Sequence, residues 1–215
     1  MTAIQSEEWA GTFGDEYAKR SPGSIASNLA FFHKALDECM VLRLNSVIEF
    51  GAGVGNNLRA LRQFFNNDLS VQLRGIEINA TAFTELSQDF PGSRFGTMFD
   101  WECDDQADLT LSKGLLIHIP PENLLRAYEV LYKASRHYIL VAEYFAPTLT
   151  AIPYRGRDDL LWKGPYAYDM LDKYQDLKLI DYGFVSSRDP NPQDDLNWWL
   201  LEKPQADHDP TMGIR

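Results

Sequence analysis

Apolar residues recur along this chain with two periods, and the switches between them divide it into elements. Trp9, Phe13 and Tyr17, four apart, predict a helix within residues 1–22, broken at Ser21-Pro22-Gly23. Ile25, Leu29, Phe32, Leu36 and Met40 lie on one stripe and predict a second helix over 24–42. Short, nearly continuous apolar runs predict buried strands at 46–50, 71–77, 94–99, 107–112 and 137–143. Helices are expected between them at 55–65, at 79–89 with Asn79 as N-cap, and from Pro121 to Ala134.

Beyond the fifth strand, residues 144–163 carry Pro147, Pro153 and Gly156 and read as a long loop, a length that is usually functional or disordered. A helix over Tyr166–Tyr174 follows, then strands at 177–185 and 196–202 joined by a polar Asp/Pro/Asn loop. These two strands are expected to form an antiparallel end of the sheet. Residues 204–215 read as a disordered tail, leaving 1–203 as one domain. Strands alternating with helices give an α/β class with a doubly wound sheet, whose ligands bind at the carboxyl ends of the strands.

The stretch Val47-Ile48-Glu49-Phe50-Gly51-Ala52-Gly53-Val54-Gly55 is where that sheet should bind something. A strand runs into three alternating glycines and then into a helix beginning near Asn56. Glycines permit a tight turn and close approach of a ligand to the backbone. Glu77, at the end of the second strand, would sit beside this loop and can accept both hydroxyls of a ribose. A dinucleotide fingerprint, G-x-G-x-x-G, would need glycine at Asn56. The variant here, with Glu49 before it, suits S-adenosylmethionine (SAM), which has an ammonium to be held and no pyrophosphate to cradle. Gly51, Ala52, Gly53, Gly55, Asn56 and Ile78 are the corresponding contacts. A glycine-rich turn in an ordinary α/β domain is the competing explanation.

Composition narrows the partner. The 215 residues are 45% hydrophobic and 24% charged, with enough aromatics (12 Phe, 10 Tyr, 5 Trp) for a core and a lined pocket. A net charge of −11 argues against nucleic acid and anionic membrane surfaces, which need clustered Lys and Arg. No apolar run approaches the ~20 residues of a membrane span. Met1 to Glu8 is acidic and lacks the apolar core of a signal peptide. Two cysteines, Cys39 and Cys103, suggest neither a disulfide framework nor a zinc site. A cytoplasmic protein is therefore expected, and no metal spacing is present.

Motifs along the whole chain carry a resemblance. They are Trp9 to Tyr17, Ser27-Asn28-Leu29-Ala30-Phe31-Phe32, Glu49 to Asn57, Lys113 to Ile119, Ala142-Glu143-Tyr144, Ile152 to Gly156, Asp181 to Phe184, Arg188-Asp189-Pro190 and Gln193-Asp194-Asp195. The chain resembles class I SAM-dependent methyltransferases and, more narrowly, the pseudaminic acid biosynthesis-associated methylases, up to about Lys203. The resemblance implies a Rossmann-like seven-stranded sheet of order 3-2-1-4-5-7-6 with the last strand antiparallel. It implies that the N-terminal helices, 1–42, form a lid, from which Tyr17 and Arg20 reach the methionine carboxylate, with Ser27 and Asn28 near the ligand. It also places Asp100 at the adenine amino group, with Phe99 or Trp101 stacking on the ring, and Lys113 at the cofactor.

Methyl transfer from a sulfonium needs alignment, desolvation and sometimes a base. His118, after the fourth strand, is the first candidate because its ordinary pKa lies near neutrality; a structural histidine bonded to a carbonyl is the alternative. Glu143 and Tyr144 end the fifth strand beside it. Tyr154 and Arg155 lie in the long loop and Asp194 and Asp195 in the last hairpin, all candidate substrate contacts. A salt bridge for Glu143 and a solvated hairpin tip for the two aspartates are the alternatives. The expected activity is transfer to nitrogen or oxygen of a small polar acceptor such as an amine, guanidine, amino acid or sugar derivative. A non-catalytic SAM-binding protein and an NAD-linked sugar oxidoreductase are the competing functions.

Overall fold

The computed structural model describes residues 3–20, 24–36, 43–101, 105–154, 156–157 and 160–204, with only the backbone for 3–6, 19 and 20. The expected break at 21–23, the end of the second helix, both cysteines, Arg155, the Arg20 side chain and the tail from 205 lie outside what is described.

Seven strands form one sheet: β1 (Ser46–Phe50), β2 (Gln72–Glu77), β3 (Arg94–Phe95), β4 (Ala107–Lys113), β5 (Ser135–Glu143), β8 (Lys178–Val185) and β9 (Leu196–Glu202). Their order is β3-β2-β1-β4-β5-β9-β8. β9 runs antiparallel to both β5 and β8, so it is the one reversed strand, and the order matches the expected 3-2-1-4-5-7-6. β1 and β4 pair in parallel at the centre, Val47 opposite Leu109 and Phe50 opposite Ser112. All five residues of β1 are buried.

Successive side chains of a strand point to opposite faces, and both faces are covered. Val47, Leu109, Leu140 and Trp198 pack with Phe31, Phe32, Leu58, Leu61 and Leu86 on one side. Those partners belong to α3 (Ile25–Ala35), α4 (Asn56–Phe64) and α5 (Ala80–Asp89). Ile48, Ile139, Val141 and Trp199 pack with Leu124, Leu131, Tyr166 and Met170 on the other. These come from α6 (Pro121–Ala134) and α7 (Tyr166–Lys173). Asn79 caps α5 as expected, its Oδ1 accepting from Ala82 N at 2.9 Å.

Three elements differ from expectation. The N-terminal helix is two, α1 (Ala3–Ala10) and α2 (Thr12–Arg20), parted at Gly11. Trp9 still touches Phe13 and Tyr17, at ring separations of 4.9 and 5.4 Å. The third strand stops at Phe95, because Thr97 and Asp100 cap a 3₁₀ turn over Met98–Asp100. The 144–163 loop contains a small hairpin, β6 (Thr150–Ala151) with β7 (Trp162–Lys163), and a bridge between Tyr154 and Arg157. No helix among the described residues is long and apolar enough to cross a membrane.

Candidate active site

A cavity of about 500 Å³ opens over the carboxyl ends of β1, β2 and β4. Its floor is the loop after β1. Gly51 N and Ala52 N both donate to Ile76 O, binding that loop to β2. Gly55 adopts φ 92 at the N-cap of α4, a left-handed conformation, and a Cβ there would meet Leu86 Cδ1 at 2.9 Å. Gly53, at φ 54, has no atom within 4 Å of the place a Cβ would take, so open space lies over its backbone.

Glu77 fastens floor to wall. Its Oε2 accepts from Gly53 N at 2.7 Å and its Oε1 from Asn79 N at 2.7 Å. It is 8% exposed and lines the cavity. Burial raises its pKa, against the bonds from Asn79, Gly53 and Ile78. Glu49 lies beneath the loop, fully buried, and is not part of the lining. Its Oε1 accepts from Asn57 Nδ2 at 2.6 Å, while Oε2 and Asn57 Oδ1 have no partner among the described residues. Burial raises Glu49 to about 8, with Asn57 and the charge of Lys113 opposing.

Helices α1 and α2 roof the cavity through Trp9, Gly14, Tyr17 and Ala18. They are fastened to the start of α5 and to the 144–163 loop. Asn79 Nδ2 donates to Trp9 O and to Asp15 Oδ1, and Thr81 Oγ1 to Asp15 Oδ1 at 2.7 Å. Arg157, in the 144–163 loop, pairs with Glu8 at 2.8 Å. A third side is built by Ser24, Ser27 and Asn28 of the α3 start, with Ser187, Pro192, Gln193 and Asp194 of the β8–β9 loop. Gln193 Nε2 donates to Asn28 Oδ1 at 3.1 Å.

Lys113, Gly114, Leu115 and His118 complete the lining beyond β4. His118 Nδ1 lies 2.7 Å from Leu160 O. A carbonyl only accepts, so Nδ1 carries the proton and Nε2 keeps a lone pair. Burial lowers this imidazole to about 4, with the Leu160 bond opposing, so it is neutral near pH 7. Its ring packs 4.5 Å from Trp9 and 5.8 Å from Tyr154. Burial also lowers the Lys113 ammonium, against the charges of Glu49, Asp194 and Glu143.

Several expected contacts fall elsewhere. Glu143 is 0% exposed and does not face the cavity. Its Oε1 accepts from Ser112 Oγ, Leu115 N and Leu116 N at 2.7, 3.0 and 3.0 Å, and Oε2 from Ile117 N at 3.4 Å. Burial raises it to about 7, these bonds opposing. The expected catalytic or substrate contact is thus corrected: Glu143 shapes the turn Leu116–His118 and so positions His118. Tyr144 is half-buried behind the lining, with the Lys163 ammonium 5.3 Å from its ring centre. Tyr154 is not in the lining; its ring lies 5.8 Å from that of His118 and 6.2 Å from that of Phe13.

The adenine contacts expected at residues 99–101 are also corrected. Asp100 Oδ2 accepts from Thr97 N and Thr97 Oγ1, both at 2.7 Å. Phe99 lies under the Arg126 guanidinium at 4.8 Å, and Trp101 donates to Asp105 O. None lines the cavity, whose wall beside Glu77 is Ile78, Asn79 and Ala82. Trp9, Asn57, Asn79 and Gln193 line it without having been singled out as contacts. Adjacency to the glycine loop and to Glu77 could have flagged Asn57 and Asn79; nothing local flags Gln193. Among the described residues no group of three or more His, Cys, Asp or Glu is placed to hold a metal ion.

The strand order, the reversed β9 and the loop after β1 define the fold of class I SAM-dependent methyltransferases. No protein-family model and no curated protein matches the chain. Among solved structures it is similar to a Burkholderia thailandensis 1,6-didemethyltoxoflavin-N1-methyltransferase with bound 1,6-didemethyltoxoflavin and S-adenosylhomocysteine. That likeness has 13% identity and a TM-score of 0.69 over 94% of this chain and 88% of the other. It is also similar to the magnesium protoporphyrin IX methyltransferase of Synechocystis PCC 6803 with bound SAM, at 13% identity and TM-score 0.61 over 94% and 96%. A third is the glycopeptide N-methyltransferase MtfA, at 11% and 0.59 over 88% and 99%.

Proposed function

We infer that this chain is a SAM-dependent methyltransferase acting on nitrogen or oxygen of a small polar acceptor. The observation that carries the reading is the buried Glu77 carboxylate, held against the glycine loop on the wall of the cavity. Fit to the cofactor rests on the chain's own geometry. Open space over Gly53 and Gly114 leaves room for a ligand laid on the backbone, and Glu77 stands where a ribose would be. Adenine then belongs against Ile78, Asn79 and Ala82.

SAM, when bound, supplies a methyl group on a positively charged sulfonium. The chain aligns and dries the site around it. Trp9 and Tyr17 exclude water from above, and Leu115 and His118 set the far wall. His118, held as its Nδ1–H tautomer by Leu160, offers the Nε2 lone pair as a hydrogen-bond acceptor that orients the N–H or O–H of the methyl acceptor; burial makes it too weak a base to keep a proton near pH 7, so the proton leaves to solvent. Glu143 fixes that turn and touches no reactant. A small acceptor follows from enclosure by two covering segments. The similar structures named for small substrates support that size. The narrower likeness to pseudaminic acid-associated methylases rests on the sequence motifs and supports a polar acceptor.

The test is twofold: titration of purified protein with S-adenosylhomocysteine, and S-adenosylhomocysteine release from SAM with fractionated small metabolites. Binding with turnover is expected. Binding without turnover on any fraction would leave a non-catalytic SAM-binding protein instead.

A further inference from the structure

Two buried oxygens on neighbouring side chains have no hydrogen-bond partner among the described residues: Glu49 Oε2 on β1 and Asn57 Oδ1 in the first turn of α4. The groups that carry them already meet. Asn57 Nδ2 donates to Glu49 Oε1 at 2.6 Å, and the whole glycine loop, Gly51 to Gly55, runs between the two residues. An ionised carboxylate has only acceptors to offer, so both remaining oxygens would stay unsatisfied around a buried charge. A carboxylic acid has one O–H. A proton on Oε2 leaves no charge to desolvate and makes that atom a donor, beside an amide whose oxygen lacks one.

The surroundings favour the neutral form. Burial is the largest influence on Glu49 and raises it. The Asn57 bond opposes most, followed by the charge of Lys113 at the end of β4, while Glu77 on β2 adds a like charge that pushes the same way as burial. Glu77 is itself committed to Gly53 N and Asn79 N. The loop is therefore held twice, at its middle by Glu77 and across its two ends by Glu49 with Asn57. Of that second couple only Asn57 lines the cavity, so Glu49 acts from beneath.

We propose that Glu49 is a neutral carboxylic acid near pH 7 and forms a two-point acid–amide pair with Asn57, in which Asn57 Nδ2 donates to Oε1 and the Oε2–H donates to Asn57 Oδ1. Both are positioning residues. They clasp the ends of the glycine loop and set its backbone for the ligand, and Glu49 offers no charge to an ammonium, in place of the role expected for it. The effect on the ligand rests on the cavity being a SAM site; the pair itself does not.

Glu49→Gln carries an amide N–H where the acid carries its O–H and makes the same two bonds; Glu49→Leu makes neither. S-adenosylhomocysteine affinity at pH 7 is expected to fall about tenfold or more in Glu49→Leu and to be restored to within about twofold of wild type in Glu49→Gln. Between pH 7 and 9 wild type should weaken more than Glu49→Gln, because only wild type loses the O–H. In unliganded protein, infrared difference spectra of wild type against Glu49→Gln should show a carboxylic-acid C=O band at pH 6 that is gone at pH 9. Asn57→Leu should move that band. A missing band, or one that Asn57→Leu leaves unmoved, overturns the pair. A tenfold loss of affinity in Glu49→Gln overturns the positioning role and returns Glu49 to the ligand as a charge. Wild-type protein that binds no S-adenosylhomocysteine overturns the cofactor reading instead, and the infrared band then decides the pair alone.

Discussion

The Gly53 N–H donates to the Glu77 carboxylate at 2.7 Å, joining the loop after β1 to the end of β2. One carboxylate therefore shapes the floor of the cavity and also forms part of its wall. On the proposed reading, replacing it by Ala removes a ribose acceptor and frees a loop N–H together. S-adenosylhomocysteine affinity is expected to fall about tenfold or more in calorimetry, from the loss of charged hydrogen bonds. A folded Glu77→Ala protein with unchanged affinity would remove Glu77 from the cofactor site.

His118 gives a pH signature independent of the acceptor. Its pKa in the folded protein, about 4, lies below its ordinary 6.5, so between these values the unfolded chain binds more protons. Stability from this group is full above about 6.5 and is lost as pH falls toward 4. His118→Gln should flatten that limb in melting temperatures measured from pH 4 to 7, leave S-adenosylhomocysteine affinity nearly unchanged, and lower turnover. A wild-type acid limb that persists in the variant would show that another group carries it.

Glu49 has the opposite sign. Its carboxyl is raised from 4.5 to about 8, so the folded protein binds more protons between those values. Its contribution is full below about 4.5 and is lost as pH rises through 8. Glu49→Gln should therefore melt closer to wild type, or above it, at pH 9 than at pH 5. A constant difference across that range would mean that Glu49 ionises normally in place.

Glu143 tests positioning against chemistry. Glu143→Gln puts an amide N–H among buried N–H donors and should cost roughly 2–3 kcal/mol of stability in denaturant unfolding. Turnover should fall with the His118 turn disordered. Glu143→Asp, which keeps the charge, should recover part of both. Turnover lost in Glu143→Gln with stability intact would restore a direct chemical role.

Asp100 tests the corrected adenine contact. Asp100→Ala should leave S-adenosylhomocysteine affinity within about twofold while costing about 1 kcal/mol, as for loss of a helix cap. A large affinity loss in calorimetry would bring residues 99–101 back to the cofactor.

Sequence by itself determined the sheet's strands, the glycine loop and Glu77. Periodicity and steric freedom are local properties, and Val47 to Gly55 display both within nine positions. The strand order came from resemblance to a known family. Tertiary structure decided what each candidate side chain faces. Asp100 Oδ2 is taken by Thr97, three residues away. Glu143 was claimed by Ser112 and the turn after β4, because the β4–β5 register sets Ala142 beside Lys113. Asn28 meets Gln193 across 165 positions of chain. A buried polar group takes whichever partner packing brings within about 3 Å, and that partner is fixed by the closed sheet and its covering loops, not by neighbours in sequence.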